Sequence, residues 1–477
     1  WPSQPIRKEE VDEESEDQIP MRFFRTALFA PLVLLCLSAS TQAAQFRPCK
    51  DAGSFQELSG SVCATFEVPL RAPGPMVGTA ADTLDLFVRK FPASGRAKGT
   101  LWLIAGGPGE SGASFYPFLD TLRRAFSGFD LVVPDHRGTG YSTRLCPKEE
   151  ELGSPGSMAL VGAEWGSCWQ ALNAAPDYAR AFSITSAAHD LADLVAHYRG
   201  APPSYIYGVS YGTQLVLRTF QIAKPAIRGV ILDSLVPPET AAQWDLSHRS
   251  QIVDGVGRQV LGDTSAYETL IASPAAALPG DPKVFFGSLL DFPSARARIP
   301  ELIAELNRGD STALASVKAI LAGLGDIMAR YPQAPPSIPL VSIISVSEND
   351  ARPSMTKAEV AKEQGGLLFV SSLPGLLVNP GLPLYTKDAL FGGVPKAMPR
   401  TLVLQGTLDP KTPLAGAQAH IAQLGAAGPI SLVQVSGSPH FVLMTSPDCF
   451  EQAAQSFIAG AAVQAPSCAA PRFRAGF

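Results

Sequence analysis

The segment 208–212, Gly-Val-Ser-Tyr-Gly, constrains the fold more strongly than any other part of this 477-residue chain. It is the only G-x-S-x-G in the sequence. The apolar run 204–207 before it predicts a strand, and 211–223 after it predicts a helix. A turn between such elements raises a serine hydroxyl above the end of a sheet, because the flanking glycines allow tight packing. An ordinary turn is the alternative, but the flanking elements favour Ser210 as a nucleophile.

A serine hydroxyl needs a base within hydrogen-bond reach and a third group that orients the base. On this kind of serine turn the acid and the histidine follow the serine in the chain. His248, His420 and His440 are the histidines that follow Ser210. The first two lie in helical patterns, whereas His440 lies in a loop after the predicted strand 430–435. His440 is therefore the predicted base.

The acid is identified by the same reasoning. Residues 401–405 form an apolar run that predicts a buried strand, and Asp409 lies in the turn that follows it. An aspartate before a proline is also common in ordinary turns, which is the competing interpretation. The order Ser210, Asp409, His440 favours a catalytic acid over that interpretation.

A glycine-rich loop follows another predicted strand at 100–105. Its sequence from 106 to 112 is Gly-Gly-Pro-Gly-Glu-Ser-Gly, which lets backbone N–H groups approach an oxyanion. The amide of Gly107 (or Gly106) together with that of Tyr211 is the predicted oxyanion hole. A flexible turn or a phosphate cradle is the alternative, but the loop lacks the lysine and the spacing of nucleotide-binding motifs.

Strand and helix signals alternate along much of the chain, which predicts an α/β fold with a mostly parallel, doubly wound sheet. Two opening strands, 63–69 and 84–90, are expected to be antiparallel to each other. Further strands are predicted at 100–105, 130–134, 204–208, 228–233, 401–405 and 430–435. Residues 239–397 interrupt this alternation with proline-broken helical patterns, and we interpret them as an inserted helical cap domain between the core halves 44–238 and 398–477.

Three of these motifs together resemble a known family. They are Gly-Gly-Pro-Gly at 106–109, Asp-His-Arg-Gly-Thr-Gly-Tyr-Ser at 135–142 and Gly-Val-Ser-Tyr-Gly-Thr at 208–213. They are similar to the proline iminopeptidase and tripeptidyl aminopeptidase branch of the α/β-hydrolases, and the resemblance extends patchily from Cys49 to Cys468. The region 449–468 looks like the tripeptidyl aminopeptidase tail. Ala105 departs from the pattern, since the family usually has histidine or asparagine there.

The resemblance implies an α/β-hydrolase fold, with Asp135 and Arg137 ordering the loops under the site. It also implies an acidic residue in the cap that binds the substrate α-amine. Residues 345–350, Ser-Val-Ser-Glu-Asn-Asp, match that region, so Glu348 or Asp350 is the candidate. A solvated acidic turn is the competing interpretation.

Seven cysteines are present, and Cys36 falls in a predicted signal peptide. Six cysteines allow 15 connectivities. Proximity and similar spacings in the resembled family favour three local disulfides, which are Cys49–Cys63, Cys146–Cys168 and Cys449–Cys468. A zinc site is disfavoured, because the sequence contains no C-x-x-C.

The first 43 residues are expected to lie outside the fold. Residues 1–20 are acidic and precede Met21, so we interpret them as an upstream or disordered extension. Residues 21–43 combine a basic start, a short apolar run and small residues before Ala44, which is typical of a signal peptide. No membrane anchor is expected after cleavage. These features predict a secreted or periplasmic protein.

The predicted function is that of a secreted serine exopeptidase that releases short N-terminal units, of tripeptide or proline type, through an acyl-enzyme. Its expected substrates are peptides with a free N-terminus, and no metal or cofactor is required. A secreted carboxylesterase and a non-catalytic binding protein are the alternatives. The net charge is −5 with no basic cluster, so nucleic acid is not an expected partner. The sequence gives no indication of oligomeric state.

Overall fold

The fold is built on one nine-stranded sheet with the strand order β1-β2-β3-β5-β4-β6-β7-β8-β9. It is seen in a computed structural model that describes residues 45–71, 82–154, 162–198, 203–275, 277–461 and 463. The strands are β1 Arg47–Pro48, β2 Val62–Pro69, β3 Thr83–Phe91, β4 Gly99–Ile104, β5 Phe129–Pro134, β6 Ser204–Val209, β7 Gly229–Asp233, β8 Arg400–Gly406 and β9 Ile430–Val435. The predicted extension 1–20, the predicted signal peptide 21–43 and Cys468 lie outside the described residues.

The sheet combines an antiparallel edge with a parallel body. β1, β2 and β3 pair antiparallel, and β3 also pairs antiparallel with β5. From β5 through β4, β6, β7 and β8 to β9, every pairing is parallel. The carboxyl ends of these parallel strands therefore meet at one edge of the sheet, where the loops after β4, β6, β8 and β9 come together.

Both faces of the sheet are covered, because alternate side chains of each central strand enter different hydrophobic clusters. In β4, Trp102 and Ile104 join one cluster, and Leu101 and Leu103 join the other. The two-residue period of a strand produces this division. A strand buried on both faces has a continuous apolar sequence, which explains why the central strands were detectable in the sequence.

Helices connect the strands and cover the two faces. They are α1 Leu119–Ala125, α2 Gly166–Ala174, α3 Pro176–Arg180, α4 Ile184–His197, α5 Tyr211–Ile222, α6 Arg249–Leu261, α7 Ser265–Ala272, α8 Pro282–Leu289, α9 Pro293–Ala297, α10 Ile299–Asn307, α11 Thr312–Met328, α12 Ile338–Glu348, α13 Lys357–Gly365, α14 Leu373–Leu377, α15 Leu414–Leu424, α16 Val442–Thr445 and α17 Pro447–Ile458. Within the described ranges, none of them has the length and hydropathy needed to cross a bilayer.

The fold class predicted from the sequence is confirmed, and the strand bounds agree to within a residue or two. The two-residue strand β1 was missed because so short a pairing leaves no periodic pattern. Two of the predicted disulfides are formed in the structure, Cys49–Cys63 and Cys146–Cys168. The third predicted pair includes Cys468 and stays a prediction.

The insertion between β7 and β8 is helical and has its own hydrophobic cluster, which includes Tyr267, Phe286 and Leu302. One of its helices behaves differently. Ile338, Leu340 and Ile343 of α12 belong to the cluster on the sheet. The insertion therefore rests on the core through α12, although the boundaries 239–397 stay a prediction.

Candidate active site

Ser210 lies at the turn between β6 and α5 with φ 54° and ψ −125°. A non-glycine residue rarely adopts a positive φ, and such strain persists only where neighbouring contacts enforce it. Here the Ser210 N–H donates to the Asp233 carbonyl at 3.0 Å. Glycine is required on both sides, since a Cβ on Gly208 would lie 2.6 Å from the Gly212 carbonyl oxygen and one on Gly212 would lie 2.4 Å from that of Ile104. Ser210 remains partly exposed.

The predicted oxyanion donors lie beside Ser210. Tyr211 is the first residue of α5, so its N–H belongs to the helical turn whose amides have no intrahelical partner. The loop after β4 approaches from the other side, and a Cβ on Gly106 would lie 3.2 Å from the Ser210 Cβ. Gly107 is exposed and, like Tyr211, lines the cavity that contains Ser210. This arrangement provides backbone N–H groups next to the serine.

His440 and Asp409 form a buried hydrogen-bonded pair. The His440 Nδ1–H donates to Asp409 Oδ2 at 2.8 Å, and both residues are at least nine-tenths buried. Asp409 also accepts hydrogen bonds from the Lys411 N–H at 2.8 Å and from Thr412. Burial opposes ionisation of Asp409, but His440 and the hydrogen bonds from Thr412 and Lys411 hold the pKa of its carboxyl below the usual value. Asp409 is therefore held as a charged carboxylate, which can orient the imidazole of His440.

The loop that contains His440 is held by residues that the sequence analysis missed. Asp233, at the end of β7, accepts hydrogen bonds from the Val442 N–H at 2.8 Å and the Leu443 N–H at 2.9 Å. The neighbouring Ser234 Oγ accepts one from the Phe441 N–H at 2.8 Å. An aspartate at the end of an otherwise apolar strand was the available signal, because a buried carboxylate requires hydrogen-bond donors.

A cavity of about 490 Å³ lies over the carboxyl ends of the strands. Ser210, His440, Tyr211 and Gly107 line it from the core. The insertion contributes a further set of lining residues, which includes Trp244, Leu246, Arg249, Phe292, Val341, Glu348, Leu373 and Leu376. The structure thus brings the predicted serine, histidine and oxyanion donors to one cavity. In the part of the chain that the structure describes, no three His, Cys, Asp or Glu side chains are grouped as a metal site requires.

Of the two acidic candidates in the insertion, Glu348 lines this cavity. It is 2% exposed, and the Arg218 Nη2 lies 3.4 Å from its Oε2. Arg218 also donates to Glu239 at 2.8 Å. Burial raises the pKa of Glu348 to about 7 although Arg218 lowers it, and Glu239 adds to the rise. This cluster has more carboxylates than cations, so it can accept a positively charged group.

Asp350 lies elsewhere. It lines a separate small cavity with Ser247 and Arg352, and its Oδ1 accepts a hydrogen bond from the Arg352 N–H at 2.8 Å. Asp350 is only 6% exposed and Glu348 even less, so the interpretation as a solvated acidic turn is wrong. Packing of α12 on the core buries this segment, which the local sequence did not reveal.

Glu110 is a further cavity residue that the sequence analysis did not single out. Its Oε2 would lie 3.5 Å from a Cβ on Gly106, beside Ser210. Burial raises the pKa of its carboxyl, and Lys411 and His440 partly offset the rise. The glycine-rich loop therefore places an acid as well as backbone amides near the serine.

Asp135 and Arg137 do not line the cavity, and they order loops, as the resemblance implied. Asp135 accepts hydrogen bonds from the Gly112 N–H at 2.7 Å and the Tyr141 N–H at 2.8 Å. Arg137 forms a two-pronged pair with Asp190 at 2.6 and 2.7 Å. Asp135 thereby fixes the end of the glycine-rich loop.

Two family models match the chain. Residues 99–268 match a model described as the alpha/beta hydrolase fold, and residues 381–468 match one described as TAP-like protein. The first covers the glycine-rich loop and Ser210, and the second covers Asp409 and His440. The chain has the α/β-hydrolase fold, and its C-terminal region is similar to TAP-like proteins.

Among curated proteins, this chain is similar to the serine protease Hip1 of Mycobacterium tuberculosis, with 25% identity over 316 residues. That match covers 61% of this chain and 57% of Hip1, so the chain spans little more than half of its relative. It is also 23% identical over 222 residues to YuaR of Escherichia coli, which is described as a hydrolase, with 43% of each chain covered. The names of both relatives are those of hydrolases, and Hip1 is named as a serine protease.

Solved structures also match the chain, at low similarity. An esterase from Thermogutta terrifontis is 16% identical with a TM-score of 0.37, and the match covers 80% of this chain and 96% of the esterase. The protein Rv0554 from Mycobacterium tuberculosis is 15% identical with a TM-score of 0.39, and the match covers 83% of this chain and 99% of Rv0554. These overlaps support no comparison of activity.

Proposed function

We propose that this hydrolase is a serine exopeptidase that removes short N-terminal units from peptides. The observation that most supports the proposal is the cavity itself. It places Ser210 and His440 together with the buried carboxylate of Glu348, in a pocket of the size that binds a short peptide. A free peptide N-terminus is an ammonium ion, and it requires an acidic partner when it is bound out of water.

In the proposed reaction Ser210 Oγ attacks the scissile carbonyl carbon while His440 Nε2 accepts its proton. Asp409 orients the imidazole and stabilises the imidazolium. The N–H groups of Tyr211 and Gly107 bind the oxyanion. His440 then protonates the departing amine as the peptide C–N bond breaks, and water attacks the acyl-enzyme by the same route to release the N-terminal fragment.

The proposed amine site lies some distance along α5 from the nucleophile. Gln214 and Arg218 follow Ser210 by four and eight residues. A helix rises about 1.5 Å per residue, so Arg218 lies about 12 Å from Ser210 along the axis. An extended peptide advances about 3.3–3.6 Å per residue. An ammonium held by Glu348 near Arg218 would therefore place the second or third peptide bond, rather than the first, at Ser210.

A carboxylesterase is the second candidate, because apolar side chains also line the cavity. They include Leu246, Val341, Leu373, Leu376 and Met444. Such a surface would accept an acyl chain without an amine. The two activities differ in whether turnover depends on a free N-terminus.

We also propose that the protein is exported to the periplasm or the cell exterior. Two disulfides support this location, because disulfides persist in oxidising compartments and are rare in the cytosol.

The function is tested with matched fluorogenic tripeptides, one with a free N-terminus and one acetylated. The Ser210→Ala variant is the background. We expect cleavage of the free peptide, a loss of at least about a thousandfold on acetylation or in Ser210→Ala, and a nearly unchanged thermal melt. Removal of one small hydroxyl at a partly exposed position costs little stability, so the loss of turnover reports chemistry.

Equal cleavage of the free and acetylated peptides would reject the aminopeptidase and favour an endopeptidase or a broad esterase. Turnover retained in Ser210→Ala would reject Ser210 as the nucleophile.

A further inference from the structure

Eight acidic or basic side chains line the cavity, apart from His440. Most have partners within the protein. Glu239 and Glu348 share Arg218, Asp245 accepts from His248, and Lys411 pairs with Asp291 at 3.2 Å. Lys387 lies over the Phe391 ring at 4.0 Å. Arg249 and Glu110 are the two that remain, and no salt bridge joins them to any residue in the described part of the chain.

Arg249 is the first residue of α6 and is 9% exposed. Its Nε is buried and has no hydrogen-bond partner among the described residues. Burial lowers the pKa of the guanidinium, with Asp291, Asp409 and Asp245 partly offsetting that effect. Those carboxylates already pair with Lys411, His440 and His248. A guanidinium this deeply buried is costly without an anion, so its partner is expected to come from the bound molecule.

The proposed function indicates which anion is available. A short peptide has one ammonium and one terminal carboxylate. The guanidinium presents its N–H groups as a planar fork that matches the two oxygens of a carboxylate. On this basis, and resting on the proposed exopeptidase activity, we propose that Arg249 binds the C-terminal carboxylate of short peptide substrates.

The positions of the charges support this orientation. Arg249 lines the cavity together with His440, which in the proposed reaction protonates the leaving amine. The Asp409 carboxylate behind His440 partly offsets the lowering of the pKa of Arg249. Glu348 is paired with Arg218 of α5, the helix that follows Ser210. The acyl part of a peptide bound to Glu348 would lie along α5, and the leaving part would extend past His440 towards Arg249.

The second unpaired charge does not compete for this role. Glu110 lies against Gly106, beside Ser210, and being an acid it repels a carboxylate. The cavity volume of about 490 Å³ is also consistent with a peptide that has both ends inside the pocket. The enzyme is therefore expected to act on small peptides in preference to long chains.

The test uses tetra-alanine as the free acid and as the C-terminal amide, both with a free N-terminus. Cleavage is followed by mass spectrometry, and kcat/KM is measured for each. A hydrogen-bonded charge pair of this kind predicts that the acid is preferred by about tenfold or more. Arg249→Gln should reduce this preference to about one, and Arg249→Lys should keep part of it because the charge remains. Arg308→Gln is the matched control, since Arg308 is exposed and does not line the cavity.

A wild-type ratio near one, or an unchanged ratio in Arg249→Gln, would overturn the proposal. So would equal rates for tetra-alanine acid and for Ala-Ala-Ala-Glu amide, because Arg249 would then bind a side chain. Acetylated tetra-alanine acid is measured in parallel. If it is cleaved as fast as the free peptide, the proposed aminopeptidase activity fails, whereas the acid-to-amide ratio still tests Arg249.

Discussion

Ser210, Ser234 and Phe441 all have a positive φ, of 54°, 55° and 67°. Each of these conformations is held by a hydrogen bond that the backbone N–H of the residue donates. Ser210 donates to the Asp233 carbonyl, Ser234 to the Leu404 carbonyl and Phe441 to the Ser234 hydroxyl. Unfavourable backbone conformations persist where several contacts enforce them, and they are frequent at functional sites. The ends of β6 and β7, strand β8 and the loop that contains His440 are thereby joined to one another around the serine and the histidine.

Asp233→Asn tests whether this anchoring positions His440. The asparagine side chain retains one acceptor oxygen. Its NH₂ group replaces the other oxygen and cannot accept the hydrogen bond that the Val442 N–H or the Leu443 N–H donates to the carboxylate. We expect kcat to fall by about tenfold or more with little change in KM, since a misplaced base reduces stabilisation of the transition state more than it reduces substrate binding. Steady-state kinetics on the free tripeptide substrate measures both constants.

Asp254→Asn is the control for this substitution. Asp254 also accepts hydrogen bonds from two consecutive backbone amides, those of Leu368 and Phe369, but it does not line the cavity. Asp254→Asn should lower the melting temperature without lowering kcat. Equal losses of kcat in the two variants would show that Asp233 contributes only stability.

At the scale of elements, α5 presents the site on one face. Gln214 and Arg218 are four residues apart, so their side chains lie on the same side of the helix, and Ser210 lies directly before its first residue. Residues from Tyr211 to Phe220 are all buried. Gln214 exchanges hydrogen bonds with Asn349, and Arg218 contacts Glu348, which joins α5 to the end of α12. The nucleophile and the proposed amine site therefore have a fixed separation.

The pH dependence of substrate binding tests the role of α12. The pKa of Glu348 is about 7, so its carboxylate is charged above that pH and neutral below it. An α-amine has a pKa of about 7.7–8.0 and loses its charge above that range. Binding of free-amine peptides should therefore be tightest between these values, with KM several-fold higher at pH 6.

KM measured from pH 5.5 to 9 distinguishes Glu348 from other groups. Glu348→Gln should raise KM near neutral pH. It should also remove the further rise of KM that the wild type shows at acidic pH. Glu67→Gln, an exposed substitution on β2, should leave the profile unchanged. If KM still rises at acidic pH in Glu348→Gln, that rise belongs to the titration of another residue.

At the scale of the molecule, Glu150 joins three distant segments. It is fully buried, and its Oε1 accepts a hydrogen bond from Ser337 Oγ at 2.8 Å. The Ser337 N–H donates to the Gly109 carbonyl at 2.9 Å, so the start of α12 contacts the glycine-rich loop. The Glu150 Oε2 has no partner among the residues that the structure describes. Burial raises the pKa of Glu150 to about 7, although Ser337 and Arg144 lower it.

This carboxyl makes stability depend on pH in a definite direction. Its pKa is higher in the folded state than the ordinary value of 4.5, so the folded state binds more protons between those pH values. The free energy of unfolding should therefore fall as pH rises from about 4.5 to 7. Glu150→Gln removes this penalty and should stabilise the protein by up to roughly 3 kcal/mol at pH 8, with little effect at pH 4.5.

Urea unfolding of the wild type and Glu150→Gln at pH 5 and pH 8 measures the difference. Because the two proteins are compared at each pH, contributions from Asp135, whose pKa burial raises to about 6, cancel. An equal difference at both pH values would mean that Glu150 has no raised pKa.

Much of this molecule was predictable from local patterns in the chain. Strands β2 to β9 were found to within a residue or two, because buried strands are continuous apolar runs. The turn at Ser210 was recognisable from its glycines, and the order of the loops indicated Asp409 and His440. All of these depend on residues close together in sequence, together with the rule that parallel strands end at one edge.

The remaining features depend on contacts between segments far apart in the chain, and only the tertiary structure decided them. Asp233 and Val442 are separated by 209 residues, and Glu150 and Ser337 by 187. The burial of Glu348, and that of Arg249 without a salt-bridge partner among the described residues, depend on how the insertion packs over the sheet. The charge and pKa of a side chain follow from its surroundings rather than from its neighbours in sequence. The sequence thus determined the fold class and the candidate catalytic groups, and tertiary packing determined which charges face the substrate.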